Sequence, residues 1–275
     1  MNIKRIVFTA LFAASVCFIG ASAFAEDITI NGSTTVLPFA QAAVEKFMSA
    51  NPGVNISLSG GGSGNGIKAL ADKTVNIANS SRFIKFDEVK TAMANDVYPV
   101  PFAVALDCLL PMVHPSNPVN GLTTQQLKDI YSGKITNWKD VGGDNAAIAV
   151  VGRDTSSGTY GTWQEMIMDV GEKARVTAKA QTAASSGAML STVANNKNAI
   201  GYDGIGYIDN TVKPLTVNQV AGTAISAKDG SYPLSRYLYM FTNGWPKDDV
   251  LNFINYMLSA EGQAIVESTG FIRIR

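Results

Sequence analysis

The sequence predicts an α/β fold with mostly parallel sheets, and two observations carry that prediction. Short apolar runs, the form of buried strands, alternate with stretches whose apolar residues recur every three or four positions, the form of helices. Three of the junctions also share one plan: a strand, a Ser/Thr/Gly loop, then a helix. They lie at residues 32–35, 60–66 and 153–159. In open α/β sheets such loops gather beyond the carboxyl ends of the strands, where ligands bind.

Residues 27–30 read as a strand leading into Asn31, Gly32, Ser33, Thr34 and Thr35. Val36, Ala40, Ala43 and Phe47 then recur at helical spacing, and Leu37, Val44 and Met48 widen the stripe. Asn51, Pro52 and Gly53 stop that helix. Val54, Ile56 and Leu58 alternate as a strand. The glycine-rich loop 60–66 precedes a short helix over 67–71. Residues 75–78 form a brief strand ending at Asn79, Ser80, Ser81 and Arg82. Residues 102–113 are nearly all apolar, which predicts a buried strand. A helix over 123–131 has Thr123 or Thr124 as its cap. The apolar run 146–151 leads through Gly152, Arg153, Asp154, Thr155, Ser156, Ser157, Gly158 and Thr159 into an amphipathic helix from Tyr160. Ser185, Ser186 and Gly187 open a further helix reaching about Ala194. Strands follow at 199–202 and 237–241, then two helices, Asp248–Leu258 and one capped by Ser259. No internal repeat or low-complexity tail interrupts this pattern.

The first residues read as a targeting segment. Lys4 and Arg5 form a basic start, residues 6–21 an apolar stretch, and Ala23, Phe24 and Ala25 a small-x-small cleavage site. Cleavage after Ala25 leaves 250 residues of the 275, with 20 basic against 22 acidic side chains, a net of −2. That balance gives no basic face for nucleic acid. No later run is apolar and long enough to span a bilayer. Cys17 leaves with the leader, so Cys108 is alone and reads as a buried inert thiol. The expected product is a soluble exported protein.

The three loops together suit an oxyanion. Exposed N–H groups at helix N-termini attract anions, and the helix dipole adds to that field. The Arg153 guanidinium is a planar fork that matches tetrahedral oxyanions. Each loop also has a plainer reading: a helix cap at Ser33 or Thr34, a turn of left-handed glycines at 60–66, a salt-bridged surface turn at 153–159. The glycine loop is no nucleotide motif, since Ile67 and Lys68 follow Gly66 instead of Lys and Ser/Thr. Catalysis has little support. His114 is the only histidine and stands before Pro115, which suits a structural role. One histidine and one mature cysteine exclude metal sites built from those residues, and nothing calls for a cofactor. Asp107, Asp129, Asp140 and Asp144 show no spacing for acid–base pairing. Trp138, Trp163, Tyr202 and Tyr207 read as packing residues.

These loops, with residues 77–82, the run LKDIYSGKITNW from Leu127 to Trp138, AIGY ending at Tyr202 and the tail 261–272, resemble the phosphate-binding proteins of bacterial ATP-binding-cassette phosphate importers. The resemblance covers nearly all of the mature chain. It implies a two-lobed periplasmic-binding-protein (type 2) fold. Each lobe has a central mostly parallel sheet flanked by helices, and two hinge strands join them. The expected first lobe takes residues 26–103 and 230–275, and the second takes 104–229. By motif, Thr34 and Thr35 contribute from the first loop and Ser63 from the glycine loop. Arg153 makes the charged contact, and Ser157, Gly158 and Thr159 complete the cage. Asp154 is expected to orient Arg153. Some family members carry an aspartate just beyond the third strand, which accepts the proton of phosphate and rejects sulfate. Here Ser81 stands at that point, with Arg82 adding charge. The implied ligand is inorganic phosphate and the implied partners are membrane permease and ATPase subunits. A receptor for sulfate or molybdate is the alternative. A phosphatase or Ser hydrolase is disfavoured by the single histidine and by the absence of Gly-x-Ser-x-Gly.

Overall fold

A computed structural model describes residues 27–274. The expected leader, residues 1–25, lies outside them. Four strands and three helices build the first half of the sheet and its cover. β1 (Ile28–Gly32) buries Ile28 and Ile30 on one face. α1 (Leu37–Ala50) buries the expected stripe of Ala40, Ala43, Val44 and Phe47, and a proline in its first turn suits the unpaired N–H positions there. β2 (Ile56–Gly60) follows, then α2 (Ser63–Ala71). α2 starts four residues before the expected helix because the glycines are part of it. A Cβ on Gly66 would lie 2.6 Å from the carbonyl oxygen of Asn31, so glycine lets α2 press directly on β1. β3 (Ile77–Ser80) precedes α3 (Phe86–Ala94), a helix the sequence pattern does not announce. It buries only Ala92 and leaves Phe86 exposed, so it carries no apolar stripe. β4 (Pro99–Val113) and β5 (Gly121–Leu122) complete this stretch.

α4 (Thr124–Ser132) is capped by Thr123, whose hydroxyl accepts from Gln126 N. β6 (Ala149–Arg153) runs into α5 (Gly158–Trp163), which continues as a π turn to Met168. β7 (Gln181–Ala183), α6 (Ser186–Ala194) and β8 (Ala199–Gly204) come next. Two short strands, β9 (Lys213–Pro214) and β10 (Thr216–Val217), and α7 (Ala224–Lys228) lead to β11 (Ser235–Asn243). α8 (Asp248–Leu258) and α9 (Ala260–Ser268) close the chain, the latter capped by Ser259 as expected.

Among the described residues nine strands form one sheet in the order β2-β1-β3-β11-β4-β8-β6-β7, with β9 also on β4, while β5 and β10 pair in a separate two-stranded sheet. Its ends are parallel: β1 pairs with β2 and β3, and β6 with β7 and β8. Its middle is antiparallel, because β11 lies between β3 and β4, and β4 pairs onward with β8. The 15-residue β4 therefore serves both halves. Phe102, Val104 and Ala105 pack with α1, α8 and α9. Leu106 to Val113 supply most of the strand's side chains in a second core, around Leu127, Ile130, Tyr131, Trp138, Trp163 and Tyr202. Each fully buried side chain of this size contributes about 1.5–3 kcal/mol. Trp163 stacks flat on Tyr202 at 4.1 Å, and Trp138 is buried, so these three pack as expected. Cys108 is buried, and that burial, with the nearby Asp107 charge, pushes its thiol up to about 12. His114 hydrogen-bonds Ser116 at 2.8 Å in the turn after β4.

Candidate functional site

Parallel strands deliver their following loops to one edge of a sheet. Here the loops after β1, β2, β3, β6, β7 and β8 meet. Thr159 Oγ1 stands at the centre, 2.9 Å from Thr35 Oγ1 and 3.3 Å from Ser81 Oγ. Ser63 Oγ accepts from Ser81 N at 3.1 Å and lies 3.4 Å from Ser81 Oγ. A Cβ on Gly158 would fall 2.6 Å from Ser81 Oγ, so glycine alone allows α5 to approach that hydroxyl pair. Thr34 Oγ1 accepts from Arg153 Nη2 at 3.1 Å. The N-termini of α1, α2, α5 and α6 all point at this cluster's loops, which concentrates partial positive charge there.

Arg153 is 5% exposed. Its Nε donates to Ala183 O at 3.1 Å and its Nη1 to Ser186 Oγ at 3.2 Å. The carboxylate beside it is Asp203, 3.5 Å away and fully buried, and not the expected Asp154. Asp154 Oδ1 instead accepts from Ser156 N at 2.9 Å and from the Ser156 hydroxyl, which closes its own loop. An acid one residue after the arginine on a strand end points to the other face, so it cannot turn back to the guanidinium. Burial pushes the Asp203 carboxyl up, against the pull of Arg153.

The other expected residues divide. Thr34, Thr35, Ser63, Ser81, Arg153, Gly158 and Thr159 come together as described. Ser157 is buried at the same loop, but its hydroxyl caps α5 by accepting from Tyr160 N at 3.2 Å. Arg82 does not enter the cluster with its charge. Its Nη1 and Nη2 hold both oxygens of Glu88 at 2.8 and 2.6 Å. Burial pushes the Glu88 carboxyl up, but Arg82 and the Lys85 amide outweigh it and hold it below the usual value.

A scan against protein families matches the PBP superfamily domain over residues 20–261. The phosphate-binding protein PstS of Bacillus subtilis is 33% identical over 249 residues, covering 90% of this chain and 80% of that one. The chain belongs to the PstS family of the PBP superfamily. Solved structures agree with its two-lobed fold. A phosphate-bound crystal structure from Clostridium perfringens, assigned to a phosphate ABC transporter as its substrate-binding protein, matches at 35% identity and a TM-score of 0.84. The match covers 91% of this chain and all of that one. An ABC-type phosphate transport receptor from Vibrio cholerae matches at 32% identity and 0.73, over 89% and 99% of the two chains. The family is one of binding proteins.

Besides Asp203, four residues outside the sequence-predicted set stand within the site. Ser186 Oγ lies 3.2 Å from Thr34 Oγ1 and donates to Asp203 Oδ1 at 3.0 Å. It had a signal, since residues 185–187 repeat the Ser-Gly plan of the other loops. Tyr207 was expected to pack, yet its hydroxyl donates to Thr34 O at 2.7 Å. Asp107 was visible as an acid inside an apolar strand, and Arg236 had no local signal at all. These two pair at 2.8 Å on neighbouring strands, and Arg236 Nη1 donates to Thr159 Oγ1 at 3.2 Å.

Proposed function

We infer that this chain is exported to the periplasm, loses its leader after Ala25, and captures inorganic phosphate between its lobes as a monomer. It then docks on the permease and ATPase subunits of an ABC importer. Thr34, Thr35, Ser63, Ser81, Arg153, Ser157, Gly158 and Thr159 bind the anion, with residues 26–103 and 230–275 as the first lobe and 104–229 as the second. Lobe closure buries the anion and forms the surface the permease reads. The observation that carries the reading is Arg153: buried, and with both Nη groups given to hydroxyls from two separate loops. Relatives named for phosphate binding, one of them crystallised with phosphate, support the same ligand. Among the described residues no group of metal-ligating side chains competes for this site, and no helix is long and apolar enough to cross a membrane.

One observation favours a second reading, a receptor for sulfate or molybdate. Ser81 stands where some members of the family carry an aspartate that accepts the phosphate proton, and the two buried acids nearby are each beside an arginine. Titration calorimetry of the anion-free mature protein with phosphate, then sulfate, across a pH series separates them. Tight phosphate binding with negligible sulfate binding is expected. Equal binding of both makes this a general oxyanion receptor, and binding of neither ends both readings.

A further inference from the structure

We propose that Arg236 is a second guanidinium of the anion site, donating directly to the bound anion alongside Arg153. This deepens the phosphate reading and rests on it. Arg236 is 6% exposed and stands on β11 opposite Asp107 of β4. Its Nε donates to Asp107 Oδ2 at 2.8 Å, and Asp107 Oδ1 is occupied by Ile205 N at 2.9 Å. Asp107 is thereby fixed as an anchor and takes only one N–H edge of the fork. Nη1 reaches Thr159 Oγ1, the central hydroxyl of the cluster. Nη2 is buried and meets no hydrogen-bond acceptor among the described residues. A buried charged donor left unpaired is costly, so it marks a place where an acceptor belongs.

The parallel with Arg153 strengthens the assignment. Each arginine has one buried aspartate beside it, Asp203 or Asp107. Each extends an Nη group to a cage hydroxyl of a different segment, Thr34 or Thr159. Arg82 lacks this pattern, since both its Nη groups are held by one carboxylate. Two guanidiniums balanced by two carboxylates leave the site formally neutral before binding. A doubly charged anion then gains charge-assisted bonds from two sides, while hydroxyls and helix ends carry the remainder.

The test is calorimetry with inorganic phosphate on the wild type, Arg236→Gln and the double variant Asp107→Asn/Arg236→Gln. The double variant leaves no unpaired buried charge, so it separates anion contact from simple neutralisation of Asp107. The expected result is an affinity loss of about 10- to 100-fold in both variants, the scale of one or two charge-assisted bonds. Affinity restored to within about threefold of wild type in the double variant, or undiminished in Arg236→Gln, overturns the proposal. Should either variant fail to fold, a crystal structure of the wild type with phosphate decides. An anion oxygen within hydrogen-bond distance of Arg236 Nη1 or Nη2 supports it, and an anion held by Arg153 alone overturns it. A wild type that prefers sulfate or molybdate overturns the phosphate reading only, and the same variants titrated with that anion still test Arg236. A wild type that binds no tetrahedral oxyanion overturns both.

Discussion

Arg82 and Arg153 occupy similar points of the fold. Arg153 ends β6 and Arg82 stands two residues beyond β3, and both are more than nine-tenths buried. Their side chains meet opposite fates. Glu88 takes both Nη groups of Arg82 in a fork-to-fork pair, so that charge is spent inside its own loop and helix. Asp203 sits 3.5 Å from Arg153 without saturating it, and the Nη groups go to Ser186 and Thr34. A guanidinium whose two Nη groups are both held by one carboxylate, as in Arg82, has neither left for a ligand. The contrast shows that an arginine in a promising loop is not yet a binding residue.

The comparison breaks first at Arg153. Arg153→Ala is expected to weaken phosphate binding by about 100-fold or more, since two charge-assisted donors go at once. Titration calorimetry reads it, and pairing the change with Asp203→Asn guards the fold against a lone buried carboxylate. Unchanged affinity would erase the distinction between the two arginines. Arg82→Gln, by contrast, is expected to leave affinity within about threefold while lowering stability by about 1 kcal/mol, the scale of a partly buried ion pair. The Arg82–Glu88 pair also has a pH signature. Glu88 titrates below its ordinary value of 4.5, so its contribution is complete above pH 4.5 and disappears as pH falls through the lower folded value. Chemical denaturation of wild type and Glu88→Gln should therefore converge on acidification past that point. The smallest effect is expected at Asp154. Asp154→Asn keeps an acceptor for Ser156 N and should change phosphate affinity by no more than about twofold. A tenfold loss would return Asp154 to the role that Asp203 fills by geometry.

Much of the site was legible because its residues advertise themselves locally. Thr34, Ser63 and Thr159 sit in loops whose glycines and hydroxyls follow a strand and precede a helix, and that grammar is short-range. Ser186 obeyed the same grammar. Arg236 and Asp107 did not: each is a charged residue in an apolar strand, and neither neighbourhood names the other. They are 129 positions apart and become partners only because β11 pairs antiparallel with β4. α3 was hidden for another reason, since a helix that buries one alanine leaves no periodic stripe to read.

The sequence by itself determined the alternation of strands and helices, the anion-seeking loops and Arg153, because hydrophobic period, glycine and hydroxyl placement act over a few residues. Only the tertiary structure decided which acid stands beside which arginine. It set Asp203 against Arg153, Asp107 against Arg236 and Glu88 against Arg82. Two of these three pairings join distant segments, and in a buried site charge compensation is fixed by strand order and register, which no local pattern records.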